Sequence, residues 1–327
     1  TSDRCQSAYG IWGDEEPVFH EAAVRNLILY KKCTGKGLLY GGPDYEIHGE
    51  EPCIHHTFCH AKALASMIDS GQWSSQPAEL PSQHAPSLLY FSEIDTWKIS
   101  KGGFLGTVTG YDFHYMKGGH ASGGTLTMLW HRTAGPVIMS SMTDYWLKEP
   151  HNMQLSLKKS QHCSLTPRIE LESQGKKYSS CYDHDSRITA EELGNEIRIE
   201  AHMELKDADH SSAFNPVFCR LVYLFSDGQI TIDGSIKLLQ EPDSRQPLFI
   251  IPVIGRHKLG VQRVQDGWVL PRENGTVKIG ISTLDCGKAP DPVFFLTGGF
   301  EAWQFTVQPD GKGEFHVSIK VEEEKVC

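Results

Sequence analysis

Histidine stands out in this chain of 327 residues, which carries 16 of them. Imidazole changes charge near neutral pH, so histidines set among tyrosines and glycines are candidates for proton transfer. The first cluster is Pro52-Cys-Ile-His-His-Thr-Phe-Cys-His60. His56 and His60 stand four residues apart, which puts both on one face of a helix. Such a pair can ligate zinc, but Thr57 follows His56 where a metalloprotease helix has its glutamate. Read without function, the segment is a polar helix start with hydrogen-bonded histidines. The second cluster is Gly110-Tyr-Asp-Phe-His-Tyr-Met-Lys-Gly-Gly-His-Ala-Ser-Gly-Gly-Thr-Leu126. Glycines on both sides of His120 let backbone and imidazole approach a ligand closely. Tyr111, His114 and Tyr115 add further proton-exchanging groups. Read without function, this is a glycine-rich turn between two strands. The third segment, Ser140 to Gln154, mixes Asp144, Tyr145, Glu149, His151 and Asn152. Rings that stack on a sugar, beside amides and carboxylates that take its hydroxyls, suit a carbohydrate site; the plain alternative is a strand followed by a loop. Finally, Cys181-Tyr-Asp-His-Asp185 either offers His184 and Asp185 to a metal or forms a polar turn.

The elements that must position these groups change character along the chain. Asp14-Glu-Glu-Pro17 opens a helix, with acids at the positive end of the dipole and proline in the first turn. Val18, Phe19, Ala22, Ala23, Leu27 and Tyr30 supply its apolar stripe, and Gly35 or Gly37 ends it. A glycine-rich loop follows and carries Tyr45. A second helix starts near Pro52, and the spacing of Ile54, Phe58, Ala61, Ala65 and Ile68 predicts its buried face. Ser, Gln and Pro then mark a linker at 76–87 between a helical segment at 1–75 and a β region at 88–327. Strands are expected at Phe104–Val108, Thr125–Trp130, Ile197–Met203, Leu248–Ile254, Val277–Ile281 and Phe315–Val321. Asp227-Gly228 turns a hairpin, and Asp266-Gly267, Asn274-Gly275 and Asp310-Gly311 mark further turns. No helices alternate with these runs, which disfavours a parallel α/β sheet. A dozen or so antiparallel strands exceed one flat sheet, so the expected fold is mainly β: a large antiparallel β-sandwich preceded by a short α-helical segment. Two helices are too few for a domain of their own. They read as the end of a helical domain or as an arm packed on the sheets.

Composition removes several function classes. Lys plus Arg total 31 against 41 Asp plus Glu, a net charge of −10. Nucleic acid is therefore not the expected partner, although a local basic pocket for a polyanion is compatible with an acidic shell. No run of about 18 apolar residues suggests a membrane span. The nine cysteines include no CxxC pair, which excludes a zinc ribbon or a thioredoxin-type site. A nucleophile elbow, a P-loop and a dinucleotide fingerprint are all missing.

The layout and the Gly119-His-Ala-Ser-Gly-Gly-Thr-Leu126 stretch together resemble the heparinase II/III-like polysaccharide lyases. Those enzymes join an α/α toroid to a C-terminal antiparallel β-sandwich that carries a related His-x-Asp-x-Gly signature. Here Ser122 stands at the acidic position, and two helices stand in place of a toroid. The resemblance implies that residues 1–75 end such a toroid, with a further helical segment before them. It also implies β-elimination on a uronic-acid polysaccharide in the cleft between helical and β domains, by a secreted or periplasmic protein. His120 then neutralises the sugar carboxylate or acts as base, and Tyr111 or Tyr45 protonates the leaving oxygen. His56 belongs to the same catalytic set. His55, His114, Tyr145 and Asn152 bind substrate. This chemistry requires no cofactor and is compatible with a divalent metal. Two other classes compete: a carbohydrate-binding sandwich without catalysis, and a glycoside hydrolase using paired carboxylates such as Asp144 and Glu149.

Overall fold

In a computed structural model of the chain, Pro17 occupies the first turn of helix α1 (Pro17–Cys33), and Lys31 and Lys32 its last, the favourable ends for a helix dipole. The structure describes residues 6–13, 15–40, 42, 46, 51–52, 54–69, 78–110, 121–143, 163–238, 246–256, 258–281, 283–289 and 300–323. The chain divides into two compact units, residues 1–86 with 297–300, and residues 87–296 with 301–327.

In the first unit, α1 buries Ala23, Asn26, Tyr30 and Cys33. A short hairpin follows, β1 (Thr34–Gly35) and β2 (Leu38–Leu39), turned by Lys36 and Gly37 at positive φ. Helix α2 (Ile54–Asp69) comes next. Its orientation reverses the expectation from sequence. Ile54, Phe58 and Ile68 are 60%, 69% and 64% exposed, and Ala61 and Ala65 are exposed with them. The buried side carries Thr57, His60, Leu64 and Met67 instead. Thr57 Oγ1 accepts the Leu39 N–H at 2.9 Å. His60 packs edge-on to Tyr30, ring centres 4.4 Å apart. Leu64 joins Tyr30, Cys33 and Leu39 in a small core, and Met67 is buried so close to Gly10 that a Cβ there would meet its Cγ at 2.5 Å. Periodicity reveals that a helix has an apolar stripe. Which side the neighbours cover is a tertiary matter. Among the described residues no helix is long and apolar enough to cross a membrane.

The second unit is β throughout. β3 (Leu88–Phe91), β4 (Thr96–Lys101), β5 (Phe104–Thr109), β6 (Thr125–His131) and β7 (Gly135–Met139) pair in chain order as a five-stranded meander. The chain continues through β8 (Arg168–Ser173), β9 (Lys176–Ser179), β10 (Arg187–Leu193), β11 (Glu196–Glu204), β12 (Val217–Ser226), β13 (Gln229–Leu238) and β14 (Leu248–Arg256). It ends with β15 (Gln262–Val264), β16 (Gly267–Arg272), β17 (Gly275–Ile281), β18 (Thr283–Lys288), β19 (Phe300–Val307) and β20 (Glu314–Glu323). An eight-stranded sheet has the order β10-β11-β12-β13-β20-β17-β16-β15, and a third, five-stranded sheet the order β18-β19-β14-β8-β9. Every pairing with a described register is antiparallel. One core joins the three sheets. Phe104 and Leu129 of the meander, Ile199, Tyr223 and Phe225 of the eight-stranded sheet, and Phe249 and Phe305 of the third sheet all belong to it, each at most 1% exposed. The strands alternate as half-buried strands must; β11, for example, buries Ile197, Ile199, Ala201 and Met203 and turns Arg198, Glu200 and His202 outward. The fold is thus the expected antiparallel sandwich.

The Asp227-Gly228 turn falls where expected, with Ser226 paired to Gln229. Asp310-Gly311 lies in the link at 308–313, and the other two expected turns are displaced by one residue. Val264 pairs with Gly267 and Arg272 with Gly275, so Gln265-Asp266 and Glu273-Asn274 form the turns and each glycine begins a strand. A Cβ at Gly267 or Gly275 would lie 2.0 or 2.2 Å from a carbonyl oxygen of the neighbouring strand. Close backbone approach, rather than the turn, requires glycine there.

Candidate functional site

The segment that carries Tyr111, His114 and His120 joins two neighbouring strands, β5 and β6. Residues 111–120 lie outside the described residues, as do Tyr45, Tyr115, Asp144, Tyr145, Glu149, His151 and Asn152. His55 and His56 lie in the first turn of α2. What the structure does define is how both roots of the 111–120 segment are held.

At the first root, the Gly110 N–H donates to the Asp95 carbonyl at 2.9 Å, and the Gly110 carbonyl accepts from Ser186 Oγ at 3.3 Å. A Cβ at Gly110 would lie 2.4 Å from Asp95 Oδ2. The second root, Ala121–Gly124, is wholly buried. Ser122 makes two bonds to the short helical turn Ser180–Tyr182 and the residue after it. Its N–H donates to the Cys181 carbonyl at 3.3 Å, and its hydroxyl to the Asp183 carbonyl at 2.5 Å. Gly123 and Gly124 both have positive φ. Gly124 offers its carbonyl to the Tyr223 hydroxyl at 3.0 Å. Burial pushes the Tyr223 phenol pKa up, so it stays a proton donor in this bond. Thr125 Oγ1 closes the root by donating to the Pro167 carbonyl at 2.5 Å.

Behind Ser122 lies a layer of charged groups. The Asp183 carboxylate is buried; it accepts the N–H of Glu204 at 2.8 Å and of Asp185 at 3.1 Å. Lys206 Nζ stands 3.7 to 3.9 Å from carboxylate oxygens of Glu204, Asp185 and Asp183. The carboxylate of Asp207 accepts the N–H of Asp209 and of Ser211. This turn presents His210 at φ +62°, and the His210 Nδ1–H donates to the Tyr182 carbonyl at 2.9 Å. The His184 ring lies 3.8 Å from the His210 ring, centre to centre.

The 181–185 segment forms a short helical turn, Ser180–Tyr182, followed by a polar turn. Asp185 faces the Lys206 ammonium. The Ser122 hydroxyl is committed to a buried carbonyl, and among the described residues no group of three or more His, Cys, Asp or Glu side chains gathers as metal ligands. Lys206 and His210 lie outside every segment that the sequence singles out. Ser122 and Asp183 are 61 residues apart, and no local pattern joins them.

Comparison with known proteins adds a family to this geometry. The family described as Ulvan lyase C-terminal domain matches residues 88–322, and the one described as Ulvan lyase N-terminal domain matches residues 1–85. A broad-specificity ulvan lyase of Formosa agariphila is 32% identical over 290 residues, which are 85% of this chain and 44% of that protein. The chain thus spans less than half the length of the curated relative it matches. Among solved structures, the heparan sulfate lyase HepC from Pedobacter heparinus aligns with a TM-score of 0.50 and 8% identity, over 99% of this chain and 60% of that one. At that identity the likeness concerns the fold.

Proposed function

This chain belongs to the ulvan lyase family, and from that premise we propose that it forms all or a portion of an enzyme that cleaves a uronic-acid polysaccharide, ulvan, by β-elimination. The observation that carries this reading is the match of ulvan lyase domains to both units, residues 1–85 and 88–322. In the reaction, a proton leaves C5 of the uronic acid, the C4–O bond breaks, and a C4=C5 double bond forms. The departing oxygen takes up a proton. Neutralising the carboxylate makes C5–H acidic, which suits an imidazolium or an amide. The proposed roles are those of the sequence: His120 at the carboxylate or as base, Tyr111 or Tyr45 as the phenolic acid, and His56 in the same catalytic set. His55, His114, Tyr145 and Asn152 bind the sugar. The fixed roots at Gly110 and at Ser122–Thr125 support His120, because a base must stay within hydrogen-bond reach of its proton.

The same reading makes an acidic polysaccharide the partner and places the protein in the periplasm or the medium. The exposed apolar stripe of α2, Ile54, Phe58 and Ile68, supports further helices of a longer chain packing over it. That the chain spans 44% of its relative favours one second reading: this chain alone binds polysaccharide without cutting it. His120→Ala tests the main proposal. The unsaturated uronate absorbs in the ultraviolet, and its appearance from ulvan should stop in the variant. Product formation at the unaltered rate would remove His120 from the mechanism.

A further inference from the structure

The eight-stranded sheet carries an open groove of about 820 Å³ on its outward side, at the end where β11 finishes, β12 begins and β13 finishes. That volume lies within the usual range of about 300–1,000 Å³ for ligand sites. Its floor follows from strand register. Arg220 is directly opposite His202 on one side and Ser235 on the other, and Phe218 is opposite Lys237. Side chains alternate between faces, so these five project together. Phe218 is 46% exposed, an aromatic surface with a cation as its cross-strand neighbour. Arg220 gives its Nε to Glu200 at 2.5 Å and also lies in the field of the Asp233 carboxylate. The Lys312 ammonium lies near enough to the Asp310 carboxylate to help lower its pKa, and Lys237 projects beside Phe218.

The wall is the turn between β19 and β20, and it is rigidly built. Asp310 Oδ1 accepts the N–H of Lys312 at 2.8 Å and of Glu314 at 2.9 Å. The Gly313 N–H donates to the Asp310 carbonyl, and the Gly313 carbonyl accepts the Ile236 N–H, both at 2.9 Å. Gly313 has φ +80°, and a Cβ there would lie 2.3 Å from the Ile236 carbonyl oxygen. The turn is thus clamped to β13 and holds Lys312 over the floor. Gln246 and Gln308 complete the rim. Two carboxylates, Asp310 and Glu314, stand in the lining against Arg220, Lys237 and Lys312, and Asp310 is held ionised by the N–H groups of its own turn.

We infer that this groove is a second, non-catalytic site that holds an anionic stretch of polysaccharide. An aromatic face takes a sugar ring, amides and a serine take hydroxyls, and three cations take carboxylate or sulfate groups. Three cations against two carboxylates leave the lining with a small excess of positive charge on a chain of net charge −10, which favours an acidic polymer here over the rest of the surface. The groove shares no residue with the roots of the 111–120 segment. That the anionic polymer is ulvan rests on the function proposed above; the affinity for anionic sugars rests on the groove's own side chains.

The test is electrophoresis of the full chain through gels cast with and without ulvan, for the wild type, the double variant Phe218→Ala with Lys237→Glu, and His120→Ala. Circular dichroism checks that each is folded, and Lys312→Glu serves as an independent second variant. Ulvan is expected to retard the wild type and His120→Ala alike. Loss of one aromatic contact and reversal of one charge should weaken apparent affinity about tenfold or more. A folded double variant and a folded Lys312→Glu both retarded like the wild type would overturn the site, as would a wild type that ulvan does not retard. Unsaturated product from a wild type that is not retarded removes the groove and leaves the lyase reading. Retardation that depends on the groove residues, with no product from any longer or shorter form, removes the lyase reading and leaves the groove.

Discussion

A Cβ at Gly123 would sit 1.8 Å from the Ser180 carbonyl oxygen, and the φ of +73° already belongs to the left-handed region. The neighbouring Ser122 binds the same turn through its hydroxyl. The two residues therefore fail differently. Ser122→Ala leaves a buried carbonyl without its donor and should cost about 1–3 kcal/mol of stability. Gly123→Ala must push neighbouring backbone segments apart and take a strained φ as well, and should cost about 3 kcal/mol or more. Urea unfolding of both variants is the check. A Gly123→Ala protein no less stable than Ser122→Ala would show that this contact yields cheaply. The glycine run around His120 is plain in the sequence. That Gly123 is required by a carbonyl nearly sixty residues later is not, because steric need at a close approach leaves no periodic trace.

At the scale of elements, α2 tests how far a pattern can be trusted. Its apolar stripe is regular, yet the stripe is exposed and the opposite side packs on α1, β2 and Gly10. Met67→Ala should then cost about 2–5 kcal/mol through the cavity it leaves. Phe58→Ala, on the exposed side, should stay within about 0.5 kcal/mol. Thermal unfolding of the two variants checks this, and a larger loss for Phe58→Ala would put the helix the other way round. The strands were far more legible than the helices. A half-buried strand has two faces of opposite character, so alternation locates it and orients it together. A helix stripe orients the helix only if the apolar side is the covered one.

For the molecule as a whole, acid stability follows from two groups in the β unit. His131 is 2% exposed beside Phe104, and burial lowers its pKa below 6.5. The unfolded chain then binds a proton that the native state resists, so stability falls as pH drops from about 6.5 toward the native pKa. Glu200 also has a lowered pKa, but by stabilisation of its charged form. Its hydrogen bond from Arg220, aided by His202 and Arg198, holds its pKa at about 2 against an ordinary 4.5. Its contribution is complete above pH 4.5 and is lost as pH falls toward 2. Stability measured against pH should therefore decline in two stages, and His131→Gln should remove most of the first. An unchanged decline between pH 6.5 and 5 in that variant would assign the first stage to other groups. The sequence by itself determined the antiparallel sandwich, most of its strands, and the polysaccharide lyase kinship, because alternation, turn residues and a short glycine-histidine motif are local signals. Only the tertiary structure decided which face of α2 is covered, that Ser122 and Gly123 lock onto the turn at Ser180–Asp183, and that Phe218, Lys237 and Lys312 meet in one groove. Those are contacts between segments far apart in the chain, and their energy depends on distance in space rather than on order along the backbone.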